Sequence, residues 1–172
     1  MGIIIRLAVP ADAPDMAQVG ARSWEAAYKN ILTADYIREK NASRPEQFKQ
    51  SITDENEDSY VIQKDGVTVG IMKIAAAEDD DLDANYCELH YIYLDPDYFR
   101  QGIGALALKL AFDKARESGK SFISVWVFAE NENAVKFYEK CGFKSDNKTK
   151  VQNRGKPVKI IRMIKNLINQ EG

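Results

Sequence analysis

Hydrophobic residues recur with the period of β-strands in several short segments of the chain. A β-branched run, IIIRL, lies at the amino terminus. A longer stretch holds two β-rich runs on either side of Asp65-Gly66, a dipeptide typical of hairpin turns. The run SFISVWVF is apolar on both faces, which indicates a central strand. The predicted strands cover residues 3–7, 59–64, 67–77, 85–94 and 121–128, and two more begin at about Phe143 and Val158.

Other segments have the spacing of amphipathic helices. Met16, Val19, Ser23 and Ala27 recur at helical intervals and predict a first long helix. Further predicted helices cover residues 34–41 after a cap at Thr33, 46–52 after Pro45, 103–117 before Gly119, and 131–142. This order of strands and helices predicts an α/β (α+β) fold with a mixed sheet, and one domain spanning residues 1–172.

The composition is typical of globular proteins, with 45% apolar and 29% charged residues among 172. The net charge of -2 gives no general attraction to nucleic acid or to anionic membranes. No apolar run approaches the roughly 20 residues of a membrane helix. Cys87 and Cys141 are far apart and the chain has one histidine, so no metal site is expected. The expected setting is reducing and cytoplasmic.

Charge is unevenly distributed along the chain. Residues 78–83, EDDDLD, hold five acids, whereas the segment from Lys144 to Lys165 holds eight Lys or Arg and one acid, Asp146. Both stretches are interpreted as solvated loops and strand faces. The acidic stretch also offers a surface that attracts a polycation.

The segment DPDYFRQGIGALALKL places Gly102 and Gly104 where a helix is expected to begin. A helix start presents unpaired N–H groups and the positive end of the helix dipole, and glycines let a phosphate approach the backbone. Arg100 and Lys109 add positive charge nearby. Close packing of the helix against a strand explains the two glycines equally well.

These glycines also satisfy the dinucleotide-binding pattern G-x-G-x-x-A, with Glu130 near the end of the following strand. That pattern needs its glycines in a tight turn directly after a strand. Here Asp95 to Gln101 intervene, and too little chain follows Gly104 for the usual alternation of strands and helices. Binding of NAD is therefore the weaker interpretation of this segment.

Two segments, HYIYLDPDYFRQGIGALALKLAFDKA and VWVFAENENAVKFYEKCGF, resemble the GNAT superfamily of acetyl-CoA-dependent N-acetyltransferases over roughly residues 86–143. The resemblance implies a mixed, mostly antiparallel sheet of six to seven strands flanked by helices. It implies that residues 100–105 wrap the pyrophosphate of coenzyme A and that the backbone of residues 92–94 pairs with its pantetheine arm. The residues implied for binding acetyl-CoA are Ile92, Tyr93, Leu94, Arg100, Gln101, Gly102, Ile103, Gly104, Ala105, Asn131 beside the arm, and Tyr138 near the thioester sulfur.

The match departs from the family pattern at Phe99, which stands where an Arg or Gln usually precedes the first glycine by three residues. A side-chain contact to the pyrophosphate is therefore missing or shifted to Arg100. Contacts made by the backbone depend on the glycines and are expected to survive.

Acetyl transfer to an aliphatic amine needs a group that removes a proton, because such an amine has a reference pKa near 10.4. Strand alternation in CELHYIYL predicts that Glu88, His90, Ile92 and Leu94 share one face. The resemblance favours Glu88 as the base, often acting through water. His90 is a second candidate, for which a hydrogen-bonded place in the sheet is the simpler interpretation.

Tyr138 has helical spacing with Ala134, Phe137 and Cys141, which is the pattern of a core stripe. The resemblance implies, in addition, that the Tyr138 hydroxyl protonates the departing thiolate. A backbone N–H within residues 92–94 is expected to hold the carbonyl oxygen that gains charge during attack.

The resemblance places the acceptor between the first helices and the last hairpin. Trp24 and Tyr28 lie one helical turn apart and are candidate substrate contacts, although core packing explains them as well. NENAVKFYEKCGF looks like the same stretch in bacterial spermidine/spermine N-acetyltransferases, which favours a polyamine or another small cationic amine. Peptides, amino acids and aminoglycosides stay open as acceptors, as do a non-catalytic coenzyme A binding module and a homodimer. Nucleic acid and membrane partners are not expected.

Overall fold

The computed structural model describes residues 2–168, which contain seven β-strands and four α-helices. The strands are β1 (Ile3–Leu7), β2 (Glu57–Lys64), β3 (Val67–Ala76), β4 (Tyr86–Leu94), β5 (Phe122–Phe128), β6 (Lys144–Asn153) and β7 (Pro157–Asn166). The helices are α1 (Ala13–Tyr28), α2 (Ala34–Thr53), α3 (Ile103–Glu117) and α4 (Glu132–Lys140). Within the described range, no helix has the length and apolar character needed to cross a membrane.

All seven strands join one sheet in the order β1-β2-β3-β4-β5-β7-β6. Every neighbouring pair is antiparallel except β4 and β5, which are parallel. Asp65 and Gly66 form the turn between β2 and β3 with φ angles of 52° and 83°, as that hairpin sequence predicts. The predicted fold class and strand number are confirmed, and β5 lies inside the sheet as its apolar faces indicate.

Helices cover both faces of the sheet. Leu108 of α3 packs with Leu89 of β4 in the larger core cluster, which also includes side chains of α4. Met16 of α1 and Phe48 of α2 pack with Ile71 of β3 on the opposite face. Each fully buried side chain of this size contributes about 1.5–3 kcal/mol to stability. The sheet is therefore the middle layer of three.

A β-bulge interrupts the pairing of β3 with β4 at His90. Lys73 pairs with Tyr91, and the next residue, Ile74, pairs with Leu89, so His90 has no partner in the register. A bulge of this kind inserts one extra residue into one strand and bends it. The side chains that follow the bulge are therefore shifted to the opposite face of the sheet.

This bulge makes the predicted alternation along β4 wrong. Ile92 and Leu94 pack against the core cluster that contains Leu89, on the face covered by α3 and α4. Glu88 directly precedes Leu89 in the strand and so points to the other face. Glu88 and His90 therefore do not share a face with Ile92 and Leu94.

Residues 34–53 form one continuous helix, whereas the sequence pattern predicts two helices separated near Pro45. The Thr33 side chain caps this helix by accepting a hydrogen bond from the Tyr36 N–H at 3.2 Å, as predicted. A proline inside a helix costs about 3 kcal/mol. Ile37 before Pro45 and Phe48 after it are both buried, and we infer that their burial offsets this cost.

Candidate active site

Strands β4 and β5 pair at only three positions, residues 86–88 with residues 122–124. They then diverge, and a cleft of about 1280 Å³ opens between them. The cleft brings together almost all residues singled out from the sequence. Those that line it are Trp24, Tyr28, Glu88, His90, Ile92, Tyr93, Leu94, Arg100, Gly102, Ile103, Gly104, Ala105, Asn131 and Tyr138.

One edge of β4 is open to this cleft. Residues 92–94 pair with residues 70–72 of β3 on one side. On the other side, no strand of the described chain pairs with them, because β5 has already diverged. Such an edge binds an extended ligand through main-chain hydrogen bonds, with specificity supplied by the neighbouring side chains.

The start of α3 lies at one end of the cleft and carries no side-chain cap. Its first helical hydrogen bond runs from the Leu106 N–H to the Gly102 carbonyl at 3.2 Å, so the N–H groups of residues 103–105 have no partner inside the helix. Gly102 and Arg100 both have left-handed φ angles, of 78° and 61°. This arrangement points unpaired donors at the site where an anion is expected to bind.

The two glycines of this segment have different surroundings. A side chain at Gly102 would meet nothing within 4 Å, so its positive φ accounts for the glycine there. A Cβ at Gly104 would lie 3.0 Å from Cζ of Phe137 on α4, which is too close without a shift of the ring. Close packing therefore explains Gly104, and it does not explain Gly102.

The loop before α3 is held by ion pairs on its outer side. Arg22 of α1 binds Asp95 through its Nε at 2.7 Å. Gln101 does not line the cleft, and its side chain instead accepts a hydrogen bond from Lys64 Nζ at 2.7 Å. Phe99 lines the cleft and offers no hydrogen-bond donor from its side chain.

Helix α4 supplies two of the predicted residues. Asn131 caps the helix, because its Oδ1 accepts a hydrogen bond from the Ala134 N–H at 3.2 Å. Tyr138 is buried, and its ring packs edge-on against Phe143 with the centroids 5.3 Å apart. Burial raises the pKa of Tyr138 above its usual value, so the hydroxyl keeps its proton at neutral pH.

Glu88 and His90 lie close together, with 3.7 Å between Glu88 Oε2 and His90 Nε2. Burial, together with the negative charge of Asp79, raises the pKa of Glu88 to about 7. Burial and the positive charge of Lys73 lower the pKa of His90, so this ring is uncharged at neutral pH. The carboxyl group is therefore the one that titrates near neutrality.

The opposite end of the cleft has an aromatic wall. Tyr28 contacts Phe128 of β5 edge-on, with the ring centroids 4.8 Å apart, and contacts Trp24 in the same way at 5.2 Å. Trp24 also contacts Tyr93 of β4 edge-on, with the centroids 6.3 Å apart. Trp24 and Tyr28 thus both pack together and line the cleft, so the two interpretations left open by the sequence are compatible.

The acidic and basic stretches noted in the sequence pair with each other. Asp79 accepts a hydrogen bond from Lys150 Nζ at 2.8 Å, and the buried Arg162 binds both Asp81 and Asp146 at 2.7 Å. The Arg162 hydrogen bond holds the pKa of Asp81 at about 2. Most residues of the acidic loop and of β6 are exposed, as interpreted from the sequence, but the side chains of Asp79 and Arg162 are buried. Pairing of Asp79 and Asp81 with basic side chains reduces the attraction expected for a polycation.

Strand β6 contributes cleft residues that were not predicted as site residues from the sequence. Lys150, Gln152 and Arg154 all line the cleft and lie at alternate positions in and directly after that strand. The period-two spacing of these polar residues was the available signal, since alternate residues of a strand share a face. Trp126 was also missed, and its Nε1 donates to Asp79 of the acidic stretch at 2.9 Å, across 47 residues of sequence.

Comparison with known proteins identifies several relatives. An N-acetyltransferase of Methanocaldococcus jannaschii is 38% identical over 33% of this chain, a match that spans 25% of that relative's length. The spermidine N(1)-acetyltransferase of Thermoplasma acidophilum is 26% identical over 86% of this chain and 91% of its own. The peptidyl-lysine N-acetyltransferase YjaB of Escherichia coli is 26% identical over 95% of this chain and 97% of its own.

The fold matches solved structures over nearly the whole chain. The PaiA N-acetyltransferase of T. acidophilum, in a crystal structure with coenzyme A, superposes with a TM-score of 0.82 at 23% identity, covering 96% of this chain and 99% of that one. The model of the acetyltransferase (GNAT) family matches residues 25–143, more than half of the chain. The family and enzyme class implied by the sequence resemblance are thereby confirmed: the chain belongs to the acetyltransferase (GNAT) family.

Proposed function

We propose that this chain transfers the acetyl group of acetyl-CoA to a primary amine, with both substrates bound together so that the amine attacks the thioester directly. One feature of the cleft carries this proposal. It connects the open edge of β4 with Glu88, a carboxyl group whose pKa is raised to about 7. Membership of the family and the coenzyme A bound to the T. acidophilum relative support acetyl-CoA as the donor.

The residues at the α3 end of the cleft fit coenzyme A. Acetyl-CoA brings an activated thioester to the reaction, and the protein has to bind and orient it. The open edge of residues 92–94 supports pairing with the pantetheine arm, and Asn131 lines the cleft beside it. The uncapped N–H groups of residues 103–105 support binding of the pyrophosphate. Since Phe99 has no side-chain donor, these backbone groups and Arg100 have to supply the phosphate contacts.

Glu88 is assigned as the general base. An aliphatic amine is protonated at neutral pH and becomes a nucleophile only after losing a proton. A base works best when its pKa lies near the operating pH, which the value of about 7 for Glu88 satisfies. The proton passes to Glu88 directly or through water. His90 is the alternative base, because its lowered pKa leaves it unprotonated at neutral pH.

Tyr138 is assigned as the acid that protonates the departing thiolate. Its raised pKa keeps a proton on the hydroxyl, as a donor requires. A thiolate with a parent pKa near 8.5 leaves readily without help, so the contribution is modest. A backbone N–H within residues 92–94 holds the carbonyl oxygen as negative charge develops on it.

Two of the relatives suggest acceptors from different classes. One is named for spermidine and the other for peptidyl-lysine. The sequence favours a polyamine as acceptor, and the spermidine relative is now the main support for it. The acidic loop supports it less, because Asp79 and Asp81 are paired with basic side chains. Aromatic contacts from Trp24 and Tyr28 suit the hydrocarbon part of either acceptor.

Titration calorimetry with coenzyme A and a screen of acetyl-CoA consumption test this function. The screen takes polyamines, amino acids, lysine peptides, peptide amino termini and aminoglycosides as acceptors. We expect Glu88→Gln to lower kcat/KM roughly 100-fold and Tyr138→Phe roughly 10-fold at neutral pH, with coenzyme A affinity unchanged. Glu117→Gln and Tyr86→Phe, which lie outside the cleft, are the matched controls.

The outcomes separate an enzyme from a binding module of the same fold. A protein that binds coenzyme A but acetylates no acceptor in the screen is a binding module. If Glu88→Gln and Tyr138→Phe turn over as fast as the wild type, the enzyme stands but these two roles are refuted. Binding of NAD in preference to coenzyme A would refute acetyl-CoA as the acetyl donor.

A further inference from the structure

We call the end of the cleft with the aromatic wall of Trp24 and Tyr28 the acceptor end. Arg154, directly after β6, is held there in one orientation. Its Nε and Nη2 both donate to Gln152 Oε1, at 3.1 and 2.8 Å. Its Nη1 donates to the hydroxyl of Tyr36 on α2 at 3.0 Å. A guanidinium fixed on two sides is pre-organised to bind a third group.

The turn after β6 places Arg154 against helix α2. Gly155 has a φ angle of 81°, and a Cβ there would overlap the side chain of Thr33, the cap of α2. The close approach of turn and helix therefore depends on this glycine. It brings Arg154 next to Tyr36, so that the last hairpin meets the first helices at the cleft.

Arg154 retains unused hydrogen-bonding capacity. A guanidinium carries five N–H donors, and the contacts to Gln152 and Tyr36 use three of them. One N–H on Nη1 and one on Nη2 remain. No carboxylate within residues 2–168 forms an ion pair with Arg154, and both of its partners are neutral. A carboxylate accepts two such donors side by side.

A second cation near this end of the cleft also has no carboxylate partner among the described residues. Arg44 of α2 is 6% exposed and lies over the Trp24 ring, 4.2 Å from its centroid. Its Nε donates to Asn41, whereas its Nη2 is buried without a hydrogen-bond partner in the same part of the chain. Arg44 lies behind the aromatic wall rather than in it, so it contributes positive potential and not a direct contact.

The acids that line the cleft are Glu78, Asp79 and Glu88, and none of them forms an ion pair with Arg154 or Arg44. Asp79 already binds Lys150, Arg162 and Trp126. Glu88 is partly protonated at neutral pH because its pKa is raised to about 7. Arg154 and Arg44 therefore keep a positive charge that no described carboxylate pairs, which favours an anionic group beside Arg154.

We propose that the acceptor amine also carries a carboxylate, which binds the two remaining N–H groups of Arg154. This inference rests on the proposed acetyl transfer and assigns the class of its acceptor: an amino acid or another amine bearing an acid group. Trp24 and Tyr28 then contact the part of the acceptor that joins its amine to its carboxylate.

Matched pairs of amines that differ only in the carboxylate test this inference. L-lysine and cadaverine form one pair, and L-phenylalanine and phenethylamine form another. We expect the wild type to favour the carboxylated member of a pair by roughly 10-fold or more in kcat/KM. Arg154→Gln should remove this preference by raising KM for the carboxylated member alone, and Arg154→Lys should restore part of it. Arg38→Gln, an exposed arginine of α2 outside the cleft, should leave the preference unchanged.

Binding measurements on the protein loaded with coenzyme A separate this inference from the proposed function. Preference for cadaverine over L-lysine in binding and in turnover would overturn the inference while leaving acetyl transfer intact. If Arg154→Gln lowers kcat/KM equally for both amines of a pair and also lowers the melting temperature, Arg154 stabilises the fold and does not bind the carboxylate. If the protein binds no carboxylated amine, the inference is wrong. If it fails to bind coenzyme A, the proposed function itself is wrong.

Discussion

The two ends of the cleft are built by different parts of the chain and in different ways. The end assigned to coenzyme A uses backbone groups that lie within residues 92–105, along the edge of β4 and at the start of α3. The acceptor end uses side chains that are distant in sequence. Arg154 and Tyr36, which meet there, are 118 residues apart. The first end is specified by a local segment, whereas the second exists only after the whole sheet and its helices have assembled.

This difference has a consequence for specificity. Backbone donors are the same for any sequence that adopts the local conformation, so we expect the α3 end to keep the ligand proposed for it when most of its side chains change. A few side chains define the acceptor end, and a single substitution there changes the charge and shape presented to the amine. Two relatives are named for different acceptors, spermidine and peptidyl-lysine, which agrees with an acceptor end that changes more readily than the α3 end.

The largest effect is expected from removing Arg162, the cation between the acidic loop and the last two strands. Its side chain is 4% exposed, and it binds Asp79, Asp81 and Asp146. Arg162→Met leaves these acids without their shared partner, and we expect a loss of about 3–5 kcal/mol in the free energy of unfolding. Urea denaturation followed by circular dichroism measures this loss.

Lys148→Met provides the control for that experiment. Lys148 approaches Asp81 at 3.8 Å with an exposed side chain, so solvent screening leaves this pair with little effect on the free energy of unfolding. A loss below about 1 kcal/mol for Arg162→Met would show that this cluster of charges adds little to the stability of the fold.

The next effect is expected at Gly102, in the backbone end of the cleft. Gly102→Val forces a β-branched residue into a left-handed conformation, which costs about 1–2 kcal/mol, and covers N–H groups assigned to the pyrophosphate. Loss of one or two charge-assisted hydrogen bonds should weaken coenzyme A binding by about 10- to 100-fold. Titration calorimetry measures the affinity, and thermal melting measures the strain.

Gly119 offers a closely matched control at the other end of α3. It has the same φ angle of 78°, and a Cβ added there would likewise meet nothing within 4 Å, but it lies outside the cleft. Gly119→Val should lose stability like Gly102→Val and keep its affinity for coenzyme A. Equal affinities in the two variants would show that the phosphate does not bind at Gly102.

The α3 end was predictable from the sequence because its information is local. Gly102 and Gly104 mark a helix start within one short segment, and the positive φ of Gly102 is a property of that segment. The core stripe containing Tyr138 was equally readable, since helical spacing sets it. What the segment alone cannot distinguish is the reason for each glycine, because the contact of Gly104 with Phe137 arises between two helices.

The acceptor end was only partly predictable because its contacts are tertiary. The bulge at His90 depends on how β3 pairs with β4, and no residue type within β4 predicts it. The helix through Pro45 likewise depends on the burial of Phe48 against other elements. Charged runs were visible in the sequence, but their mutual pairing through Arg162 appears only in the folded sheet.

A smaller effect is expected in how kcat/KM and stability depend on pH, which Glu88 in the cleft controls. Because the base has to be ionised, kcat/KM should rise with pH through about 7 and then level off. Stability should change in the opposite direction. Between its usual pKa and about 7, Glu88 keeps a proton in the folded protein that the unfolded chain has lost, so the free energy of unfolding falls as pH rises through this range.

The variant Glu88→Gln tests the pH dependence predicted for kcat/KM and that predicted for the free energy of unfolding. It should lack the rise in kcat/KM and should be more stable than the wild type above about pH 7, by about 1 kcal/mol, with the difference vanishing in acid. Rate profiles and chemical denaturation at several pH values provide the measurements. An unchanged inflection in the variant would transfer the role of base to His90 or to another group.

The smallest effect is expected at Asp80, and it sharpens the comparison between the two ends. Asp80 is the exposed acid between Asp79 and Asp81, both of which are paired with basic side chains. If the acidic loop recruits a polycation, Asp80→Asn should raise the KM for spermidine, and more so at about 0.01 M salt, where screening extends to roughly 30 Å. We expect instead less than about a two-fold change at low and at physiological salt, because the neighbouring acids are already neutralised. A rise confined to low salt would show that the loop steers cationic amines toward the cleft from outside, and that the positive charge of Arg154 and Arg44 does not set the preference at the acceptor end.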